Sequence, residues 1–149
     1  SFILLIFLID RISKIYVINL DKKLLGSEIF SSKFLNITLI WNDGIAFGLF
    51  SFDDIKLYNI LTFLILIIIL VIIFLISKSA GLKKLALLMI LGGALGNFFD
   101  RIIYEAVPDF IDFHIGNFHW FIFNVSDIFI TIGVILMIII EITDKPKVI

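Results

Sequence analysis

The amino-acid sequence predicts an all-α integral membrane protein: four transmembrane helices with a small extracytoplasmic β-sheet or hairpin, in a single membrane-embedded domain over residues 1–149. Three observations predict it. The 149 residues are 61% hydrophobic and only 17% charged, with a mean hydropathy of +1.18, far outside the range of a water-soluble domain. Four apolar segments reach the roughly 20 residues that a helix needs to cross the hydrocarbon layer. One stretch of β-branched and aromatic residues ends in a turn signature. The same composition excludes other classes. A formal net charge of -1 without a basic block gives nucleic acid no electrostatic footing. The absence of cysteine removes disulfide scaffolds, thiolate metal sites and cysteine nucleophiles.

The first spanning segment covers residues 2–20. Its opening FILLIFLI has the apolar character of a secretory-signal core, but no basic stretch precedes it and no small-residue cleavage site follows, so it reads as a retained helix. The outer stretch 21–54 contains FLNITLIW, then NDG at 42–44, then IAFGLF, so a β element is expected over about 34–50. Segment 55–76 is the plainest span, without a polar side chain from Phe63 to Ile76. Segments 85–103 and 120–142 complete the set, with FHWFIF read as an aromatic belt where the fourth helix begins. The linker SKSAGLKK carries Lys78, Lys83 and Lys84 and no acid, and the tail carries Lys145 and Lys147. Short basic ends favour the cytoplasm, which places both termini inside and the stretches 21–54 and 104–119 outside.

Polar residues inside such helices mark candidate sites. Asp10 and Lys14 lie four apart on one helical face and can pair, with Arg11 alongside. Gly92, Gly96 and Asp100 follow at four-residue spacing, with Gly93 and Asn97 in the adjacent row. The small residues let another helix approach closely, which explains the glycines but neither Asn97 nor Asp100. Asn124, Asp127 and Thr131 share a face of the fourth helix, and helical rise puts Asp127 about 10 Å inward from Trp120. An ionisable residue at that depth is a functional-site hypothesis, because its insertion costs a few kcal/mol unless it is paired or wet. Asp109 falls in what reads as a loop, where exposure is the plain alternative.

Two aspartates held together cannot comfortably both ionise, so they share a proton; one activates water as a base while the other donates to the scissile carbonyl. That chemistry needs no metal and no cofactor. Asp100 has Arg101 beside it, and Asp10 has Arg11 and Lys14, so both suit a supporting charge; Asp109 and Asp127 lack an adjacent cation and make the better titrating pair. Five ordered blocks, DRISK at 10–14, WNDGIAFG at 41–48, GGALGNFFDR at 92–101, VPDFIDF at 107–113 and FNVSD at 123–127, resemble those of the bacterial lipoprotein signal peptidases, the signal peptidase II family. The resemblance implies a four-helix aspartic peptidase of the inner membrane with an outward-facing site. Such an enzyme cuts prolipoproteins before a diacylglyceryl-modified cysteine and works as a monomer among membrane lipids. It further implies that Asp109 and Asp127 are the catalytic pair, supported by Asp10, Lys14, Asn42, Asn97, Asp100, Arg101 and Asn124. Departures are mild: Arg11, Ser13, Pro108 and Ser126 stand where the family often has Gln, Thr, Val and Ala, and the Ser126 hydroxyl could compete for Asp127.

The rival reading is a small channel or transporter subunit in which Asp127, Asp100 and Asp10 relay protons or bind cations. It leaves the outer β element unexplained and predicts polar residues through the full depth of the bundle, whereas the cytoplasmic halves of the third and fourth segments are nearly all Leu, Ile, Val and Met. His114 and His119, near Asp112 and Asp109, offer a metal-ligand reading; five-residue spacing in a loop without a third ligand favours surface histidines near the headgroups instead.

Overall fold

The computed structural model describes residues 2–44 and 55–143. Its elements run α1 (Phe2–Lys23), β1 (Phe30–Ser31), β2 (Leu35–Asn42), α2 (Ile55–Lys78), α3 (Gly81–Tyr104), β3 (Val107–Ile115), β4 (Phe118–Phe123) and α4 (Val125–Thr143). The second half of the expected β element, 45–50, and the basic tail lie outside the described residues. Three helical stretches, Tyr58–Lys78, Gly81–Tyr104 and Val125–Thr143, are long and apolar enough to cross a membrane. Helix α1 has 22 residues but carries Asp10, Arg11 and Lys14 near its middle.

Burial is inverted relative to a water-soluble protein. Ile60, Phe63, Phe74 and Ile142 are among the large apolar side chains left exposed, as suits helices whose outer faces meet hydrocarbon. Asp10, Lys14, Asp100 and Asn124 are fully buried. The buried stripe of α1 is Ile6, Asp10, Arg11, Lys14 and Val17, spaced by helical turns so that the three mid-helix charges point at the bundle. Helix α3 is the central element and packs against α1, α2 and α4. Ile69 and Ile72 of α2 meet Leu87 and Leu91 of α3 in a small apolar core. Close approach depends on glycine: a Cβ at Gly92 would sit 2.9 Å from the Ile6 side chain, and one at Gly133 2.8 Å from the Ala86 carbonyl.

The strands form one antiparallel sheet in the order β1-β2-β3-β4. This corrects two expectations. The stretch 104–119 is not an open loop, and the fourth helix begins at Val125, not at residue 120. Phe, Trp and Ile in FHWFIF fit a pleated surface, and pairing with β3 overrides their apolar helical reading. Ile115 pairs with Phe118 across a two-residue turn, whose first position, Gly116, takes φ +60 as a type II′ hairpin requires. Asp127 therefore lies in the first turn of α4, and its depth cannot be counted along a helix from Trp120. Pro108 is tolerated in β3 because the β4 ladder starts at Ile111, beyond it. Glu105, at φ 55, ends α3 in the left-handed conformation and turns the chain directly into β3. Trp41 packs edge-on against Tyr104 with ring centroids 5.4 Å apart, seating the sheet on the end of α3.

Candidate active site

The site forms where the end of α3, strand β3 and the start of α4 converge. Asn124 is the cap of α4: its Oδ1 accepts the Asp127 N–H at 3.1 Å, and Asp127 Oδ2 accepts the Asn124 N–H at 3.1 Å. This reciprocal pair satisfies backbone donors that the first helical turn leaves open, so the Asp127 carboxylate is fixed by local helix chemistry. The remaining amide protons of Asn124 point the other way. Its Nδ2 donates to Asp109 Oδ1 at 2.6 Å, so one side chain bridges both aspartates.

Asp109 is buried in β3 rather than exposed in a loop. Its second oxygen accepts a 2.9 Å bond from Asn42 Nδ2, delivered by the neighbouring strand β2. Burial pushes the Asp109 carboxyl up from 3.8 to about 6; the negative charge of Asp127 adds to the rise, and the Asn42 and Asn124 bonds oppose it. Asn97 of α3 donates to Asp127 Oδ1 at 2.8 Å and accepts from Lys14 Nζ at 2.8 Å, which settles its amide orientation.

Behind this pair lies a second buried cluster. Lys14 Nζ sits 2.7 Å from Asp100 and 3.0 Å from Asp10, while Arg11 reaches Asp10 at 2.9 Å and Asp100 at 2.5 Å. Asp10 Oδ1 also accepts the Ser126 N–H at 3.0 Å, tying α1 to the start of α4. Arg101 donates to the Gly44 carbonyl at 2.7 Å, anchoring the WNDG turn near the site, and lies within electrostatic range of Asp109 and Asp127. All the expected site residues thus converge at one end of the bundle. Arg11, read only as a neighbour of Asp10, proves to bridge both supporting aspartates. Ser126 Oγ does not compete for Asp127; it is buried without a hydrogen-bond partner among the described residues, facing Gly96.

A cavity of about 320 Å³ adjoins Asp127, lined by apolar residues that include Trp120, Phe123, Ile128 and Ile132. On the far part of the sheet Asp112, His114 and His119 come together, which sequence spacing did not reveal. The signal was available: Gly116 and Asn117 between two apolar runs mark a two-residue hairpin, and such a hairpin makes His114 and His119 cross-strand neighbours.

Comparison with known proteins is consistent along the whole chain. Residues 2–143 match the family described as signal peptidase (SPase) II. The chain is 51% identical over 145 residues to a lipoprotein signal peptidase of Pelagibacter ubique strain HTCC1062, covering 97% of this chain and 87% of that one. It is 43% identical over 120 residues to a lipoprotein signal peptidase of Francisella tularensis subsp. novicida strain U112, covering 78% and 74%. A bacterial membrane enzyme solved by the in meso method at 1.9 Å resolution shares the fold with a TM-score of 0.76 and 34% identity, covering 97% of this chain and 92% of that one.

Proposed function

The chain belongs to the signal peptidase II family and is an aspartic-type protease that removes signal peptides from prolipoproteins; we propose that Asp109 and Asp127 perform the cleavage, before a diacylglyceryl-modified cysteine. The observation that carries the assignment is residue Asn124, whose side-chain amide holds the Asp109 carboxylate and whose backbone N–H holds that of Asp127 at the mouth of α4. With one proton between them, the ionised partner takes a proton from water while that water's oxygen attacks the scissile carbonyl. The protonated partner donates to the carbonyl oxygen, and collapse of the tetrahedral species returns a proton to the leaving amine. The pair titrates as a unit, so neither role is tied to one residue in the resting enzyme.

Asn42, Asn97 and Asn124 orient the pair, and Asp10, Lys14 and Asp100 brace the helices beneath it. Arg101 holds the WNDG turn in place near the pair. The apolar cavity beside Asp127 suits an acyl-modified residue next to the cleaved bond. We further propose that α1 is the fourth membrane span. Its mid-helix charges Asp10, Arg11 and Lys14 face the bundle, and its outward face, with Ile9, Ile12, Ile15 and Tyr16 exposed, is compatible with lipid. The enzyme then is one membrane-embedded domain in a bacterial inner membrane, with the sheet and site outside. One chain supplies the complete residue set, which supports a monomer. A channel or transporter subunit is not favoured.

The test is cleavage of a diacylglyceryl-modified prolipoprotein by the purified protein in detergent, beside an ion-flux assay on the reconstituted protein. Cleavage at the modified cysteine without flux is expected; flux without cleavage would overturn the reading.

A further inference from the structure

We propose that Asp112, His114 and His119 form a binding site for a divalent first-row transition metal on the outer sheet, separate from the aspartate pair. Their ligand atoms all lie within 4.8 Å of one another. The hairpin builds this directly: His114 and His119 are paired across β3 and β4, and Asp112 lies two residues before His114 on β3. The two imidazole rings stack with centroids 5.0 Å apart and an interplanar angle of 21°. His119 Nδ1 is 2.8 Å from one Asp112 oxygen and 3.0 Å from the other.

Two further observations point past a simple histidine–aspartate hydrogen bond. The Nδ1 of His114 is buried and has no hydrogen-bond partner among the described residues, so a nitrogen lone pair or N–H is left over at the cluster. The carboxylate is also oriented from behind: Asn36 Nδ2 approaches Asp112 at 3.5 Å, and Ser31 donates to Asn36 Oδ1 at 2.9 Å, fixing which way that amide faces. Partners of this kind hold carboxylate and imidazole ligands in position at metal sites. Two imidazoles and one carboxylate are the donor set that Zn²⁺ takes when it keeps an open position, with bonds of about 2.0–2.2 Å. Those bonds hold donor atoms about 3.3 Å apart, a contraction within reach of side-chain rotation at His119, whose side chain is 52% exposed. Bound there, the metal joins β3 to β4 and takes no part in peptide cleavage.

The experiment is a calorimetric titration of Zn²⁺ into the full, tag-free, chelator-treated protein in detergent, paired with thermal melting. The expected result is saturable one-to-one binding with a raised Tm. His114→Ala and His119→Ala should each weaken binding by at least about tenfold, and the double variant should abolish it. Both residues lie on the outer sheet, so prolipoprotein cleavage in the same variants reports that the fold is intact. Absence of saturable binding in the intact protein, or equal binding in the double variant, overturns the proposal. Neither outcome touches the protease reading, because the titration records binding and not cleavage.

Discussion

Two polar clusters lie buried within a few residues of each other, and they are built in opposite ways. The Asp10, Arg11, Lys14 and Asp100 cluster matches two acids to two cations at distances of 3.0 Å or less. The Asp109 and Asp127 carboxylates are held by the neutral amides of Asn42, Asn97 and Asn124. Each acid of the first cluster meets cations, and Asp10 also accepts the Ser126 N–H, which suits bracing α1, α3 and α4. Neutral donors orient the second cluster without cancelling its charge, so a proton can still be gained or lost. The difference separates a cluster suited to bracing from the one proposed to react, although both consist of buried aspartates.

That contrast can be broken from either side. The largest effect belongs to the reactive cluster: Asp127→Asn should lower kcat by about a thousandfold or more, while Tm in detergent stays near the parent value because an amide oxygen can still accept the cap bond. Lys14→Met should do the reverse. It leaves Asp10 and Asp100 to share Arg11 alone, costing about 3–5 kcal/mol of stability, visible as a large fall in Tm. Asn124→Ala removes both the bridge and a helix cap, so a loss of about a hundredfold in activity should accompany about 1 kcal/mol of destabilisation.

The smallest effect concerns pH. The Asp109 carboxyl titrates near 6 in the fold against an ordinary value of 3.8, so the folded state holds its proton longer than the unfolded chain. Stability from this group is therefore intact below pH 3.8, falls as pH rises towards about 6, and is constant above that. The alkaline limb of the pH–rate profile should fall in the same region, since the pair needs one proton. The Asn42 bond favours the ionised carboxylate, so Asn42→Ala should move that limb to higher pH. A limb that stays put or moves down would mean that Asn42 does not tune the pair.

Much of this was legible in the sequence, for identifiable reasons. Three of the expected spans follow from apolar runs whose length the bilayer dictates, and the Asp10 to Lys14 pair follows from helical spacing alone. The sheet was only half legible. FLNITLIW was found because β-branched residues preceded a turn, but FHWFIF satisfies helix and strand equally by hydropathy, and only cross-strand pairing decides between them. That ambiguity misplaced the start of α4 and hid the burial of Asp109 in β3. The bridging geometry of Asn124 was likewise out of sequence reach, because it joins a strand to a helix cap through tertiary contact. The charge content of α1 also conceals how Asp10, Arg11 and Lys14 are turned inward, which only the packing against α3 displays.

The central claim is that Asp109 and Asp127 act as one unit. Turnover of a diacylglyceryl-modified prolipoprotein should be measured for Asp109→Asn, Asp127→Asn and the double variant under identical conditions. Each single replacement should cost as much as both together, since either one ends the sharing of a proton. Near-normal turnover in either single variant, or losses that simply multiply in the double, would contradict it.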